Sequence, residues 1–205
     1  MPGVVIHELS HHIFCIIFNA KVIKVCYYNF KDSSGYVRHE RPKHLYQDIL
    51  IATAPFFCNT FLGSLVAYPT IINKFSTFGL QSLDWRDILS MIISISIGMH
   101  AIPSKGDALS MWNFIGDSDM NLLLKITAKL IIAPLVLVFF VLNFLSSFLK
   151  IDLFYGICIY FLGPQLIKYI VNLDILRESF YIYSLQFEVG NEDDFTFFDS
   201  FKIWY

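Results

Sequence analysis

PGVVIHELSHHIFCIIFNA, residues 2–20, is the stretch on which the reading of the whole chain turns. Val4, Val5, Ile6, Leu9, Ile13, Phe14, Ile16, Ile17 and Phe18 make it an apolar helix, yet it carries His7, Glu8 and His11 in the spacing HExxH. Residues four apart are offset by only about 40° around a helix axis, so His7 and His11 point the same way and can grip one metal ion. Glu8 sits one step round, beside the same edge. On a polar surface helix so short a pattern is more often a solvated coincidence. In lipid or a packed core, unpaired imidazoles and carboxylates are costly and mark function, which favours a metal site here.

Working outward, the 205 residues are 56% hydrophobic, 17% aromatic and only 16% charged, with a mean hydropathy of +0.57. That lies well outside the ordinary soluble mix and predicts an integral, multi-pass membrane protein surrounded by lipid. A net charge of -2 leaves no electrostatic footprint for nucleic acid. Cys15, Cys26, Cys58 and Cys158 lie singly among apolar neighbours. Without a CxxC pair they argue against a disulfide framework and a cysteine zinc site alike. The first apolar segment has no basic run before it and carries His7, Glu8 and His11, so it reads as a working helix rather than a cleaved leader.

Taken in order, residues 2–19 form the first helix. Residues 21–30 and 35–40, rich in Val, Ile and Tyr around the turn-forming Lys31-Asp32-Ser33-Ser34-Gly35, predict a β-hairpin. Six basic against two acidic residues between Lys21 and Lys43 give this connection a formal +4, the mark of a solvated loop. If four helices cross and the 88–102 segment returns, the positive-inside rule puts it in the cytoplasm, unless the hairpin re-enters the membrane and escapes that rule. Residues 45–72 read as a second helix interrupted by Pro55 and Gly63, with Asn59 at membrane depth. A proline there removes a backbone hydrogen bond, and the freed carbonyl needs a partner from neighbouring protein or a cavity. A polar loop over 73–84 leads to Trp85 and Arg86, an interfacial anchor.

Residues 88–102, ILSMIISISIGMHAI, are too short to cross a bilayer comfortably, and end in Pro103-Ser104-Lys105-Gly106-Asp107. Hydrocarbon tolerates such unwound backbone only where it is buried in protein or lines a wet cavity. Asp107 is therefore the natural third metal ligand, with His100 the competing choice. Ser104 is a plausible N-cap for a short helix to residue 115. Long apolar helices follow over 120–148, with Pro134 inside, and 153–171, with Gly163-Pro164 as a kink. Residues 180–205 alternate and turn at Gly190-Asn191, as a second hairpin would. The predicted architecture is mainly α. It is a polytopic bundle of about four full spans plus one broken or re-entrant helix, embedded over residues 1–172, with an extramembrane acidic and aromatic tail over 173–205.

Assembled in this order, the residues resemble the site-2 protease family of intramembrane zinc metalloproteases and its smaller zincin relatives. HELSHH at His7–His12 matches the family's first motif. Ala54-Pro55-Phe56-Phe57-Cys58-Asn59 is similar to its Gly-Pro…Asn helix, with Ala where Gly is usual. Residues 99–107, MHAIPSKGD, are similar to its Asn-Leu-Leu-Pro…Leu-Asp-Gly segment, although Gly106 precedes the acid and His100 stands at the Asn position. The likeness covers residues 2–108. It implies a Zn²⁺ cofactor, a membrane-protein or peptide substrate, and a place for Asn59 near the metal, holding the substrate carbonyl. In HExxH chemistry His7, His11 and a third ligand hold zinc while Glu8 handles the protons of the attacking water. The rival expectation is a non-catalytic membrane module that binds a metal or a partner on the same scaffold.

Overall fold

The computed structural model describes residues 2–31, 33–75, 83–118 and 121–171. The chain divides into two compact units, Met1–Leu166 and Ile167–Tyr205. Of the second only the end of one helix is described, so the tail and its expected hairpin lie outside the described residues. The elements are α1 (Pro2–Ile17), β1 (Val22–Asn29), β2 (Ser34–His39), α2 (Leu45–Tyr68) with a π-helical continuation (Pro69–Phe75), α3 (Trp85–Met99), α4 (Lys105–Gly116), α5 (Leu122–Leu149) and α6 (Ile151–Val171). The protein is mainly helical, with one small antiparallel hairpin where the β-branched and aromatic runs predict it.

Among the described residues three helices are long and apolar enough to cross a membrane: α2 with its continuation, over Leu45–Asn73, α5, and α6 over Ile151–Ile170. Along α5, Leu130, Ile131, Leu137, Phe144 and Phe148 are exposed, an arrangement that is costly in water and natural in lipid. This is a membrane protein. The sequence predicts about four spans, but α1 has 16 residues, only about 24 Å of helix against a hydrocarbon core of about 30 Å. Its stop is local. Asn19 takes the left-handed conformation at φ 52° and the Ala20 N–H closes back on the Cys15 carbonyl at 2.8 Å, a C-terminal cap that ends the helix.

Pro55 and Gly63, expected to interrupt the second helix, lie inside an unbroken α2. Around it the core falls into three clusters. Cys15, Ala20 and Ile51 join α1, the hairpin and α2, with Val22 and Val37 packed against them. Ala52, Met111, Ile115, Ile132 and Phe139 join α2, α4 and α5. Ala67, Ile71 and Tyr160 lie where the end of α2 meets α6. Pairing of Lys24 with Arg38, Val25 with Val37 and Cys26 with Tyr36 sets the hairpin register, and the Lys21–Glu40 ion pair at 2.6 Å closes its open end.

One close approach places α1. A Cβ at Gly3 would stand 1.9 Å from the Ser96 carbonyl oxygen, so only glycine lets the start of α1 lie against α3. His7, one turn further on, is thereby brought to the end of α3.

Candidate metal centre

His7 and His11 leave α1 one turn apart, and their Nε2 atoms stand 3.3 Å from each other. Asp107, in the first turn of α4, brings Oδ1 to 3.4 Å from His11 Nε2. Ligand atoms of these three residues all lie within 4.8 Å of one another. Two donors on a tetrahedral zinc ion, at bond lengths of about 2.0–2.1 Å, are about 3.3–3.4 Å apart. The His7–His11 and His11–Asp107 spacings therefore match those that neighbouring ligands on one such ion would have. Two imidazoles and a carboxylate form the donor set of catalytic zinc sites, which keep a fourth position open.

The other nitrogen of each ring explains its orientation. His7 Nδ1 donates to the His100 carbonyl at 2.6 Å, and His11 Nδ1 donates to the Ile51 carbonyl at 2.8 Å. A carbonyl only accepts, so both protons sit on Nδ1 and both Nε2 lone pairs face the same point. Lone pairs held so close repel unless a cation lies between them.

Both carbonyls are available for structural reasons. Ile51 is four residues before Pro55, which has no N–H to donate, so the helix leaves this oxygen without its usual partner. His100 is the C-cap of α3, where the ladder has ended. Asp107 is fixed by a reciprocal capping box: its Oδ2 accepts from the Ser104 N–H at 2.6 Å while its own N–H donates to Ser104 Oγ at 3.2 Å. One carboxylate oxygen holds the helix start; the other faces His11. The unwound link between α3 and α4 is held in turn by Asn143, which donates to the Pro103 carbonyl at 2.8 Å.

Glu8 is buried beside the three ligands, in a cavity of about 530 Å³ that all four line together with β2, the first turns of α2 and the start of α4. The hairpin presses on it. A Cβ at Gly35 would lie 2.4 Å from Glu8 Cγ, so glycine is required where the strand crosses the carboxylate. Among the described residues none hydrogen-bonds the Glu8 carboxylate.

Two expectations need correction. The His100 ring does not join the cluster: its Nδ1 donates to the Ser96 carbonyl at 2.8 Å, one turn back along α3, and the residue serves the site through its backbone oxygen. Asn59 is fully buried and does not line the cavity. Its Nδ2 donates to the carbonyls of Ile97 and His100 at 3.1 Å and Gly3 at 3.3 Å, so its protons tie α1 and α3 to α2 and are not offered to a substrate. It acts on the site through the same His100 oxygen that orients His7.

Asp48 and Asn143 are site residues that sequence reasoning missed. Asp48 is buried in the first turn of α2, lines the cavity and accepts from Ser110 Oγ. An acid at a helix start reads as a partner of the helix dipole, and only the opening Leu-Tyr-Gln-Asp of an otherwise apolar helix could have flagged it. Comparison with protein-family models, curated proteins and solved structures finds no match to the chain.

Proposed function

We propose that the chain is a multi-pass, zinc-dependent membrane metalloprotease of the site-2-protease kind, hydrolysing peptide bonds within the bilayer or at its edge. The observation that carries this reading is the convergence of His7 Nε2, His11 Nε2 and Asp107 Oδ1 at 3.3 and 3.4 Å, with Glu8 lining the same cavity. When bound by these three residues, Zn²⁺ supplies Lewis acidity that polarises a carbonyl and lowers the pKa of water to about 7.

The chain's own groups do the rest. Glu8 takes a proton as the water oxygen adds to the carbonyl carbon, and returns it to the departing nitrogen as the C–N bond breaks. The carbonyls of Ile51 and His100 keep both imidazoles in the tautomer that offers Nε2. Buried Ile51 and Ala52 supply apolar wall on the α2 side of a cavity otherwise lined largely by polar groups, and exclusion of water on that side would strengthen the stabilisation of developing charge. A helical substrate hides its peptide bonds, so the strand that walls the cavity offers an edge on which an extended segment can pair. Among the described residues β2 pairs with β1 alone, leaving its other edge open.

Elemental analysis of detergent-purified protein tests the metal: stoichiometric zinc is expected in the wild type and its loss in His11→Ala. Glu8→Gln is expected to keep its zinc while cleavage of an unfolded reporter peptide falls by at least about a hundredfold. Wild-type turnover in Glu8→Gln overturns the mechanism. Zinc without cleavage of any peptide by the wild type favours the non-catalytic module instead.

A further inference from the structure

The cavity that holds the metal cluster has a second polar group with unmet bonding capacity. Asp48 is 3% exposed and its two carboxylate oxygens share one donor, the Ser110 hydroxyl, at 3.2 and 3.4 Å. One hydroxyl proton cannot serve both oxygens, and a carboxylate accepts at about four lone-pair positions. Among the described residues no cationic nitrogen lies within ion-pair distance of it. Arg41 and His39 act on it only through space, their own hydrogen-bonding and ring contacts being made elsewhere. The Arg41 guanidinium lies 4.1 Å from the centre of the Phe114 ring, Arg38 lies over Tyr36, and His39 Nδ1 donates to the Glu40 carbonyl. A buried carboxylate so thinly served is costly unless a cation joins it.

Helix geometry places this group relative to the cluster. Asp48 precedes Ile51, whose carbonyl holds His11, by three residues, and Ser110 follows Asp107 by three. The Asp48–Ser110 pair is the next rung between α2 and α4, about 4.5 Å along the helices from Ile51 and Asp107 respectively. A side chain whose own peptide bond lies at the cluster can reach it.

Resting on the peptidase reading, we propose that Asp48 determines specificity by binding an N–H cation, ammonium or guanidinium, on the substrate residue beside the scissile bond. Ser110 holds the carboxylate toward the cavity. A lysine or arginine side chain, or the α-amine of a chain terminus, supplies that chemistry.

The test is calorimetric binding of two N-acetylated peptide hydroxamates to zinc-loaded full-length protein in detergent, one with lysine and one with norleucine beside the hydroxamate. The wild type is expected to bind the lysine compound about tenfold to a hundredfold more tightly. Asp48→Asn is expected to abolish that difference without changing zinc content or norleucine affinity. Asp48→Glu keeps the charge one methylene further out and is expected to move the preference from lysine to ornithine, a result that misfolding cannot mimic. A preference seen only without the acetyl group assigns the cation to a chain terminus. Equal binding of both compounds by the wild type, acetylated or not, or an undiminished preference in Asp48→Asn, overturns the inference and leaves the peptidase reading standing. If neither compound binds the zinc-loaded protein, the peptidase reading falls and this inference falls with it.

Discussion

Pro55 and His11 are joined through one atom: the Ile51 carbonyl oxygen, which Pro55 has no N–H to engage, accepts the Nδ1–H of His11 at 2.8 Å. A helix-breaking residue thus frees the acceptor that aims the His11 ring. Pro55→Ala restores an N–H that competes for this oxygen. Because such second partners of a ligating histidine typically carry about 10–100-fold in metal affinity, zinc binding is expected to weaken by that order. Thermal stability is not expected to fall, since alanine is the better helix former. Chelator-competition titration of zinc, run beside a melting curve, checks both. Unchanged affinity would show that the carbonyl does not orient the ring.

His100 and Asp107 are separated by their modes of contact. His100 reaches His7 through its backbone oxygen at 2.6 Å, an atom that side-chain truncation leaves in place. His100→Ala is therefore expected to retain zinc. Asp107→Ala removes a ligand and one half of the α4 capping box together, so zinc is expected to be lost and stability to drop by about 1 kcal/mol. Metal content of the two purified variants decides, and zinc loss in His100→Ala with retention in Asp107→Ala would reverse the assignment.

Gly35 tests the contact between hairpin and acid. An added Cβ would meet Glu8 Cγ at 2.4 Å, which forces the strand or the carboxylate to move. Gly35→Ala is expected to destabilise the fold by about 1–3 kcal/mol, as overpacking does. It is also expected to lower turnover while zinc content stays at the wild-type level. A variant with normal kcat would mean that the hairpin position is irrelevant to Glu8.

Much of the architecture was legible beforehand because it rests on local periodicity. The apolar runs of α2, α5 and α6, the Val-, Ile- and Tyr-rich strands and the Ser104 cap each carry their signal within a few residues. The length of α1 was less legible. The apolar run suggests a helix to residue 19, whereas α1 stops at Ile17, where Asn19 in the left-handed conformation and the Ala20 N–H on the Cys15 carbonyl close it.

The site divides along the same line. His7, Glu8 and His11 were readable because their geometry is internal to one helix, where a spacing of four fixes direction. Asp107 was readable as a carboxylate beside broken backbone, and the fold does bring it to the two imidazoles. What the side chains of Asn59 and His100 bond was not legible in the sequence. Both lie near the centre, but an amide or an imidazole has several bonding atoms, and which of them faces inward depends on carbonyls contributed by other helices.

By itself, then, the sequence determined a largely apolar helical chain with His7 and His11 on one helix face, since apolar length and helical spacing are properties of contiguous residues. Only the tertiary structure decided that Asp107, and not the His100 ring, lies beside His7 and His11, and which carbonyls aim the rings. It also decided that Asp48 shares the cavity. These are meetings between residues dozens of positions apart, and what brings them together is the burial of helix faces against one another, which no single stretch of sequence encodes.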